Sequence, residues 1–290
     1  MIITRNIKQM SQISKKARLA GRTIGFVPTM GALHEGHLSL IRRARRENDI
    51  VVVSIFVNPT QFGPQEDFRK YPRNLKRDAQ MCKREGVDII FYPPTKEIYP
   101  DNYRTYVLVE ELSEVLCGKF RPGHFKGVAT VVTKLFNIVQ PDIAYFGQKD
   151  AQQAIIIKKM VEDLNLLVKI KVIPTLREKD GVALSSRNAY LKPSERRDAA
   201  VLYEALNLAK NLIRQGNRNS PDIIKKMRRL INKKKSAKAQ YISVVGLEDL
   251  RPVDRIKDSV LIALAVWFGR TRLIDNIIVN GVNGDRHYFS

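Results

Sequence analysis

Short apolar runs alternating with helical periodicity constrain this chain more than any other feature. The runs are Thr23–Pro28, Asp49–Val57, Val87–Tyr92, Ile143–Phe146 and Val168–Ile173. Most of them are separated by amphipathic patterns, at His37–Arg46, Leu75–Arg84, Val128–Val139 and Ala151–Leu164. Short apolar runs of the buried-strand type that alternate with helices predict an α/β fold, a Rossmann-like doubly wound parallel sheet covered on both faces. Right-handed crossovers then place the loops after the strands on one edge, where such sheets take ligands. Ile7, Met10, Ile13 and Ala17 recur at helical spacing ahead of the first run, with Gly21 as the expected cap.

The pattern changes after about Thr175. Two helical segments, Pro193–Gln215 and Pro221–Lys233, precede three strand-like runs at Gln240–Val245, Val260–Phe268 and Leu273–Val279. The expected organisation is a nucleotide-type sheet domain over 1–175 and a smaller C-terminal α+β domain over 176–290. The segment Arg177–Leu191, with an Asp-Gly turn and a Ser-Ser-Arg-Asn run, reads as a functional loop between them.

Composition removes several classes. Of 290 residues, 44% are hydrophobic and 28% charged, which excludes a collagenous, low-complexity or wholly disordered chain. Two cysteines, Cys82 and Cys117, exclude a disulfide scaffold and suit a reducing, cytoplasmic setting. No apolar run reaches the roughly 18–20 residues a membrane span needs, so no membrane is expected. The first 34 residues are basic and free of acids, but a core strand beginning near Thr23 leaves no room for a removable leader. The net charge of +22 would attract nucleic acid or phosphorylated small molecules. Its densest segment, Lys192 to Lys238, holds 14 basic and 4 acidic residues without the aromatic interleaving of a base-stacking surface, so a solvated face is the preferred reading and no specific nucleic acid is expected.

The chemistry concentrates in Pro28-Thr-Met-Gly-Ala-Leu-His34-Glu-Gly-His37, which follows a strand and opens a helix. Gly31 and Gly36 permit close backbone approach, and amides at a helix start suit phosphate. Two imidazoles three residues apart share a helix face and could donate to phosphate oxygens as charge builds. Zinc is the competing idea, but its helical histidine pair is spaced by four and no third ligand is evident. Gln61 follows a strand end, and its amide can both donate to and accept from a small polar acid; Gln153 invites the same reading early in a helix. Lys149 closes another strand, and Ser185, Ser186 and Arg187 combine hydroxyls with a guanidinium, a phosphate clamp in kind. Asp78 could organise a magnesium ion through water, although an aspartate on an exposed helix is more often only solvated. Arg121-Pro-Gly-His124 could add positive potential or shape a turn, and stays outside the expected core site.

His-x-Gly-His after the first strand resembles the signature of nucleotidyltransferases and class I aminoacyl-tRNA synthetases. The longer strings narrow this. Val53-Ser-Ile-Phe-Val-Asn-Pro-Thr-Gln61-Phe, Tyr71-Pro-Arg, Arg121-Pro-Gly-His-Phe-Lys-Gly-Val, Tyr145-Phe-Gly147-Gln-Lys149-Asp150-Ala-Gln-Gln153, Asp180-Gly-Val-Ala-Leu184-Ser-Ser-Arg187-Asn and Arg272-Leu-Ile-Asp-Asn together resemble the pantoate–β-alanine ligases over essentially the whole chain. The resemblance implies a ligase that joins pantoate to β-alanine with Mg2+ and ATP, through a pantoyl adenylate, releasing AMP and pyrophosphate. It implies catalytic roles for His34, His37 and Lys149, the position of His37 being credited with proton donation. ATP would be held by Met30, Gly31, Ala32, Leu33, His34, Glu35, Gly36, His37, Gly147, Gln148, Lys149, Asp150, Leu176, Leu184, Ser185, Ser186 and Arg187. Pantoate would meet Gln61 and Gln153, with Gln61 also near β-alanine. Many relatives carry Glu where this chain has Gln148, and the backbone is expected to serve there. A homodimer formed through the nucleotide domain is a further implication. No metal-ligand cluster stands out in the sequence, and magnesium usually rides on the nucleotide phosphates. The rivals are an RNA-binding module on a synthetase-like fold and another adenylyltransferase that leaves AMP in its product.

Overall fold

The computed structural model describes residues 1–64 and 66–280. Its elements run β1 (Ile2–Thr4), α1 (Ile7–Leu19), β2 (Ile24–Thr29), α2 (Glu35–Glu47), β3 (Ile50–Ile55), α3 (Leu75–Arg84), β4 (Ile89–Phe91), α4 (Thr95–Ile98), α5 (Cys117–Phe120) and α6 (His124–Val139). They continue with β5 (Ile143–Gly147), α7 (Ala151–Asp163), β6 (Lys169–Ile173), α8 (Pro193–Asp198), α9 (Val201–Arg214), α10 (Ser220–Ile231), β7 (Ala237–Gly246), β8 (Val260–Phe268) and β9 (Thr271–Val279). The chain divides into two compact units. The first comprises 1–114, 118–147 and 153–173; the second comprises 115–117, 148–152 and the described residues from 174 onward. Residues 281–290 of the expected C-terminal domain lie outside the described residues.

In the first unit six strands form one parallel sheet in the order β1-β4-β3-β2-β5-β6. From β2 the chain winds outward through β3 and β4, then returns to add β5 and β6 on the other side. The sheet is therefore doubly wound, and its switch point lies between β2 and β5, at their carboxyl ends. Complete burial of β3 explains why Ile50–Ile55 is apolar apart from Ser54. Helices cover both faces. On one side Leu38, Ile41 and Ala44 of α2 pack with Val27, Val51, Val53 and Ile90. On the other, Phe136 of α6 meets Phe26 edge-on, with ring centroids 6.3 Å apart. Nothing in the sequence marks β1, whose three residues pair parallel to Ile89–Phe91 at the sheet edge.

The second unit holds the antiparallel sheet β7-β8-β9. Its core joins Leu202, Leu206, Ile213, Ile223 and Met227 from α9 and α10 to Ile262, Leu264 and Val266 of β8. The single helix expected over Pro193–Gln215 is two helices. Leu202 and Tyr203 donate to carbonyls only three residues back, at Ala199 and Ala200, which tightens the turn there. The tightening lets Ala199, Val201 and Leu202 all be buried. Among the described residues, no helix is long and apolar enough to cross a membrane.

Candidate active site

The loop leaving β2 at the switch point is held by its own backbone conformation and by α3. Gly31 sits at φ +80° and Ala32 at φ +51°, which turns successive amides inward. A Cβ on Gly31 would lie 2.9 Å from Ile55 Cγ2, so only glycine fits both the space and the conformation. The inward amides of Ala32 and Leu33 each donate to one carboxylate oxygen of Asp78, both at 2.9 Å. Asp78 is 1% exposed. The expected solvated helix residue is instead a buried anchor, because α3 presses its first turn against this loop and the paired amides satisfy the charge.

His34 is the N-cap of α2 rather than a residue within it, with extended backbone. Its Nδ1 accepts from Gly36 N at 3.2 Å, and its own amide donates to His37 Nδ1 at 3.4 Å. The two histidines form a reciprocal capping box, ring centroids 4.1 Å apart. An Nδ1 that accepts from a backbone N–H carries a lone pair, so each neutral ring holds its proton on Nε2. The amides of Ala32 and Leu33 are taken by Asp78, and those of His34 and Gly36 by the two rings. Glu35 faces Arg42, which also holds Glu85 at 2.7 Å. Met30 places its sulfur 3.3 Å from Gln61 Nε2.

Gln61 ends a 3-10 turn, Pro59–Gln61, after β3. Its side-chain oxygen accepts from Asn58 Nδ2 at 3.0 Å. Asn58 is 1% exposed; its Oδ1 in turn takes hydrogen bonds from Thr60 Oγ1 at 2.9 Å and Tyr99 OH at 3.0 Å. The Gln61 carbonyl is held by His124 Nδ1 at 2.8 Å. Because Arg121 can only donate to His124 Nε2 at 2.9 Å, the His124 proton lies on Nδ1 and points at that carbonyl. Arg121 is bidentate to Glu66, 2.6 Å on both oxygens; burial alone would raise that carboxyl, but Arg121 holds it below its ordinary range. Helix α6 reaches this turn because residue 127 is glycine: a Cβ there would lie 2.3 Å from Thr60 O. The Arg121-Pro-Gly-His124 string is therefore a clamp on the Gln61 backbone. Gln153 lies half-buried in the first turn of α7. Its neighbour Gln152 is structural, accepting from Cys117 N and donating to Val115 O. A cleft of about 150 Å³ opens on the Asp78 side of the β2 loop, with Met30, Gly31, Arg73 and Tyr92 in its wall. None of His34, His37 and Gln61 lines it.

Gly147 ends β5, and Gln148–Asp150 follow as a 3-10 turn, with Lys149 Nζ 3.9 Å from Asp150 Oδ1. Downstream, residues 176–184 fold back as a short hairpin in which Leu184 N donates to Leu176 O at 3.0 Å. The Leu176 carbonyl is thus occupied by the hairpin. Ser185 caps the turn Ser186–Tyr190, its hydroxyl accepting from Arg187 N at 3.2 Å. Asn188 ties this turn to the hairpin through Ala183 O and Glu178 Oε1, at 3.0 and 3.1 Å. Asn58 and Tyr99 escape the sequence reading, as does the anchoring role of Asp78, since a lone asparagine, tyrosine or aspartate carries no spacing signal; only the tertiary partner reveals the role.

A doubly wound sheet with a His-x-Gly-His cap at its switch point defines a nucleotide-handling enzyme fold. Comparison with known proteins sharpens the class. The family model for pantoate-beta-alanine ligase matches residues 2–278. Pantothenate synthetase of Caldicellulosiruptor saccharolyticus is 57% identical over 279 residues, 96% of this chain and 99% of that one. A crystal structure of pantothenate synthetase from Thermus thermophilus superposes with TM-score 0.90 at 43% identity, covering 96% of this chain and 99% of its own. That of the Francisella tularensis pantoate-beta-alanine ligase, complexed with beta-gamma ATP and beta-alanine, gives 0.80 at 41% identity, covering 96% and 97%. The chain belongs to the pantoate-beta-alanine ligase family.

Proposed function

We propose that this chain condenses pantoate with β-alanine, driven by ATP cleavage. The pantoate carboxylate attacks the α-phosphorus of Mg-ATP, and the bond to the bridging oxygen breaks, giving pantoyl adenylate and pyrophosphate. The amine of β-alanine then attacks the acyl carbon, loses a proton, and expels AMP. The order is chemically necessary, because a carboxylate is a poor acyl donor until its oxygen belongs to a good leaving group.

The observation that carries the reading is the reciprocal His34–His37 cap, which orients two Nε2–H donors through the backbone at a sheet switch point. Preorganised donors of this kind stabilise charge as it develops on a phosphoryl group and cost no reorganisation. His37 is the proposed proton donor. Lys149, Ser185, Ser186 and Arg187 are assigned to the phosphates, and Gln61 and Gln153 to pantoate. Gln61 suits the task because its amide is oriented by Asn58 and its carbonyl by His124. Mg2+ enters as part of the nucleotide substrate. Asp78, the one acid suggested for it by sequence, gives both oxygens to Ala32 and Leu33, and among the described residues no group of three or more His, Cys, Asp or Glu side chains could cage an ion. A cytoplasmic homodimer, with residues 1–175 as nucleotide- and pantoate-binding domain and 176–290 as a lid carrying the Ser-Ser-Arg-Asn loop, completes the proposal.

The test is AMP and pyrophosphate release from Mg-ATP with both acids present, then with each omitted. Sustained AMP release that needs both acids, with pantothenate as product, is expected. Folded protein without turnover would overturn the reading.

A further inference from the structure

The second unit contains a buried polar centre that the reaction as written does not use. It sits on β9, within the Arg272-Leu-Ile-Asp275-Asn276 string, where Asp275 is 2% and Asn276 4% exposed. Both amide hydrogens of Asn276 go to consecutive backbone carbonyls, Gln148 O at 3.0 Å and Lys149 O at 2.9 Å. These carbonyls belong to the 3-10 turn that has just left the β5 strand, so the sheet ladder does not supply their donors. Asp275 faces the other way. Its carboxylate takes a two-pronged grip from Arg177, with NH1 on Oδ2 at 2.6 Å and NH2 on Oδ1 at 3.0 Å. Its Oδ1 also accepts from the backbone amide of Asn276 at 2.8 Å, which ties the carboxylate to the strand at the next residue.

Arg177 carries the connection onward. It donates to Gly181 O at 3.0 Å, closing the 176–184 hairpin from inside, and its guanidinium lies 4.2 Å from the centre of the Tyr203 ring. Gly181, at φ +89°, lets that ring pack directly on the backbone: a Cβ would be 2.1 Å from Tyr203 Cδ1. The hairpin leads without interruption into Leu184–Arg187, and Asn188 bonds the Ser-Ser-Arg turn back to it.

We propose that Asp275 and Asn276 are positioning residues for ATP use: Asn276 fixes the backbone of Lys149, Asp275 through Arg177 fixes the hairpin that carries Ser185–Arg187, and two adjacent side chains of β9 thereby set the lysine and the loop in one register. The inference rests on the reading that Lys149 and the Ser-Ser-Arg turn hold the nucleotide phosphates. Neither β9 residue touches the reacting atoms in this scheme. Their chemistry explains their identity. Asparagine presents two N–H groups to two carbonyls, which aspartate cannot do at the same shape, and only a planar carboxylate accepts both prongs of the guanidinium. A buried pair kept only for stability would be replaceable by well-packed apolar residues; one kept for positioning is not.

The experiment compares Asn276→Ala, Asn276→Asp and Arg177→Lys with Lys149→Ala in the full chain, by pantoate-dependent exchange of labelled pyrophosphate into ATP. Since a displacement of about 1 Å can cost about a hundredfold, Asn276→Ala should lower kcat/KM for ATP between about tenfold and a hundredfold and leave the KM for pantoate unchanged. Asn276→Asp, which keeps the volume but turns lone pairs on both carbonyls, should lose as much. Arg177→Lys, which keeps the charge but not the fork, should shift ATP use in the same direction. In the Lys149→Ala background the Asn276→Ala effect should largely vanish, because residues acting through one another are not additive. Equal losses toward ATP and pantoate, or full additivity with Lys149→Ala, would overturn the positioning role while leaving the phosphate reading intact. A Lys149→Ala enzyme with normal ATP kinetics would instead remove the phosphate reading, and this inference with it.

Discussion

The two units fix their proposed anion-contacting residues in different ways. In the first, the His34–His37 loop is stiffened by contacts two and three residues apart in sequence, with a distant anchor at Asp78. In the second, Lys149 and the Ser185–Arg187 turn lie far apart along the chain and depend on side chains about a hundred residues further on, at Asp275 and Asn276. A local cap is specified by one short string and forms with its helix. A register imposed through a sheet exists only once β9 has paired with β8. In the proposed scheme the first arrangement orients donors for the charge that develops in the transition state, and the second sets the groups proposed to hold the phosphates.

That contrast can be broken by substitution, and His37→Ala should have the largest effect. Loss of a preorganised donor costs about a hundredfold to a thousandfold in rate, so adenylate formation should fall by that order. The cap lost with it should lower stability by only about 1 kcal/mol. A proportionate collapse of thermal midpoint and activity would make His37 structural. Asp78→Ala comes next. Removing the carboxylate strands two amides in a buried loop, at roughly 1–3 kcal/mol each, and should lower the thermal midpoint and activity together. A variant with unchanged melting would show that the loop is held by something else. Gln61→Ala should raise the KM for pantoate by about tenfold, the size of one lost hydrogen bond to a charged group, and leave the KM for ATP unchanged. An unaltered pantoate KM would remove Gln61 from the substrate.

The smallest effect is in acid. Burial alone would raise the Glu47 carboxyl, but hydrogen bonds from Lys171, Tyr145 and Arg43 outweigh it and hold it at about 2. A carboxyl lowered on folding stabilises the fold fully above the ordinary glutamate value near 4.3, and that contribution fades as the pH falls from there toward about 2. Urea midpoints between pH 5 and pH 2.5 should therefore fall more for the native chain than for Glu47→Gln. Parallel curves would show that this cluster in the first unit contributes nothing to acid stability.

What the sequence disclosed follows the same division. Five strands of the main sheet were readable because each falls in a largely apolar run with punctuated ends, and the histidine pair because both residues fall in one string. β1 was not, since three residues cannot display a period. The break between α8 and α9 was not, because Arg197-Asp-Ala-Ala-Val contains no glycine or proline and the turn tightens only to bury Ala199 and Val201 together. Asp78 looked like a surface helix residue until α3 was seen to press it into the β2 loop. The Asp275-Asn276 pair entered the sequence reading only as part of a family string, because its partners lie 98 and 127 positions away. Local caps and core strands are written in neighbouring residues; anchors are written in pairs that only the fold brings together.

The measurement that bears most directly on the proposed chemistry uses pantoate labelled with oxygen-18 on both carboxylate oxygens, turned over with Mg-ATP and β-alanine. Attack on the α-phosphorus predicts one labelled oxygen in AMP and one left in the pantothenate amide, with none in pyrophosphate. Unlabelled AMP, or label recovered in pyrophosphate or inorganic phosphate, would contradict the adenylate route and the roles given to both units.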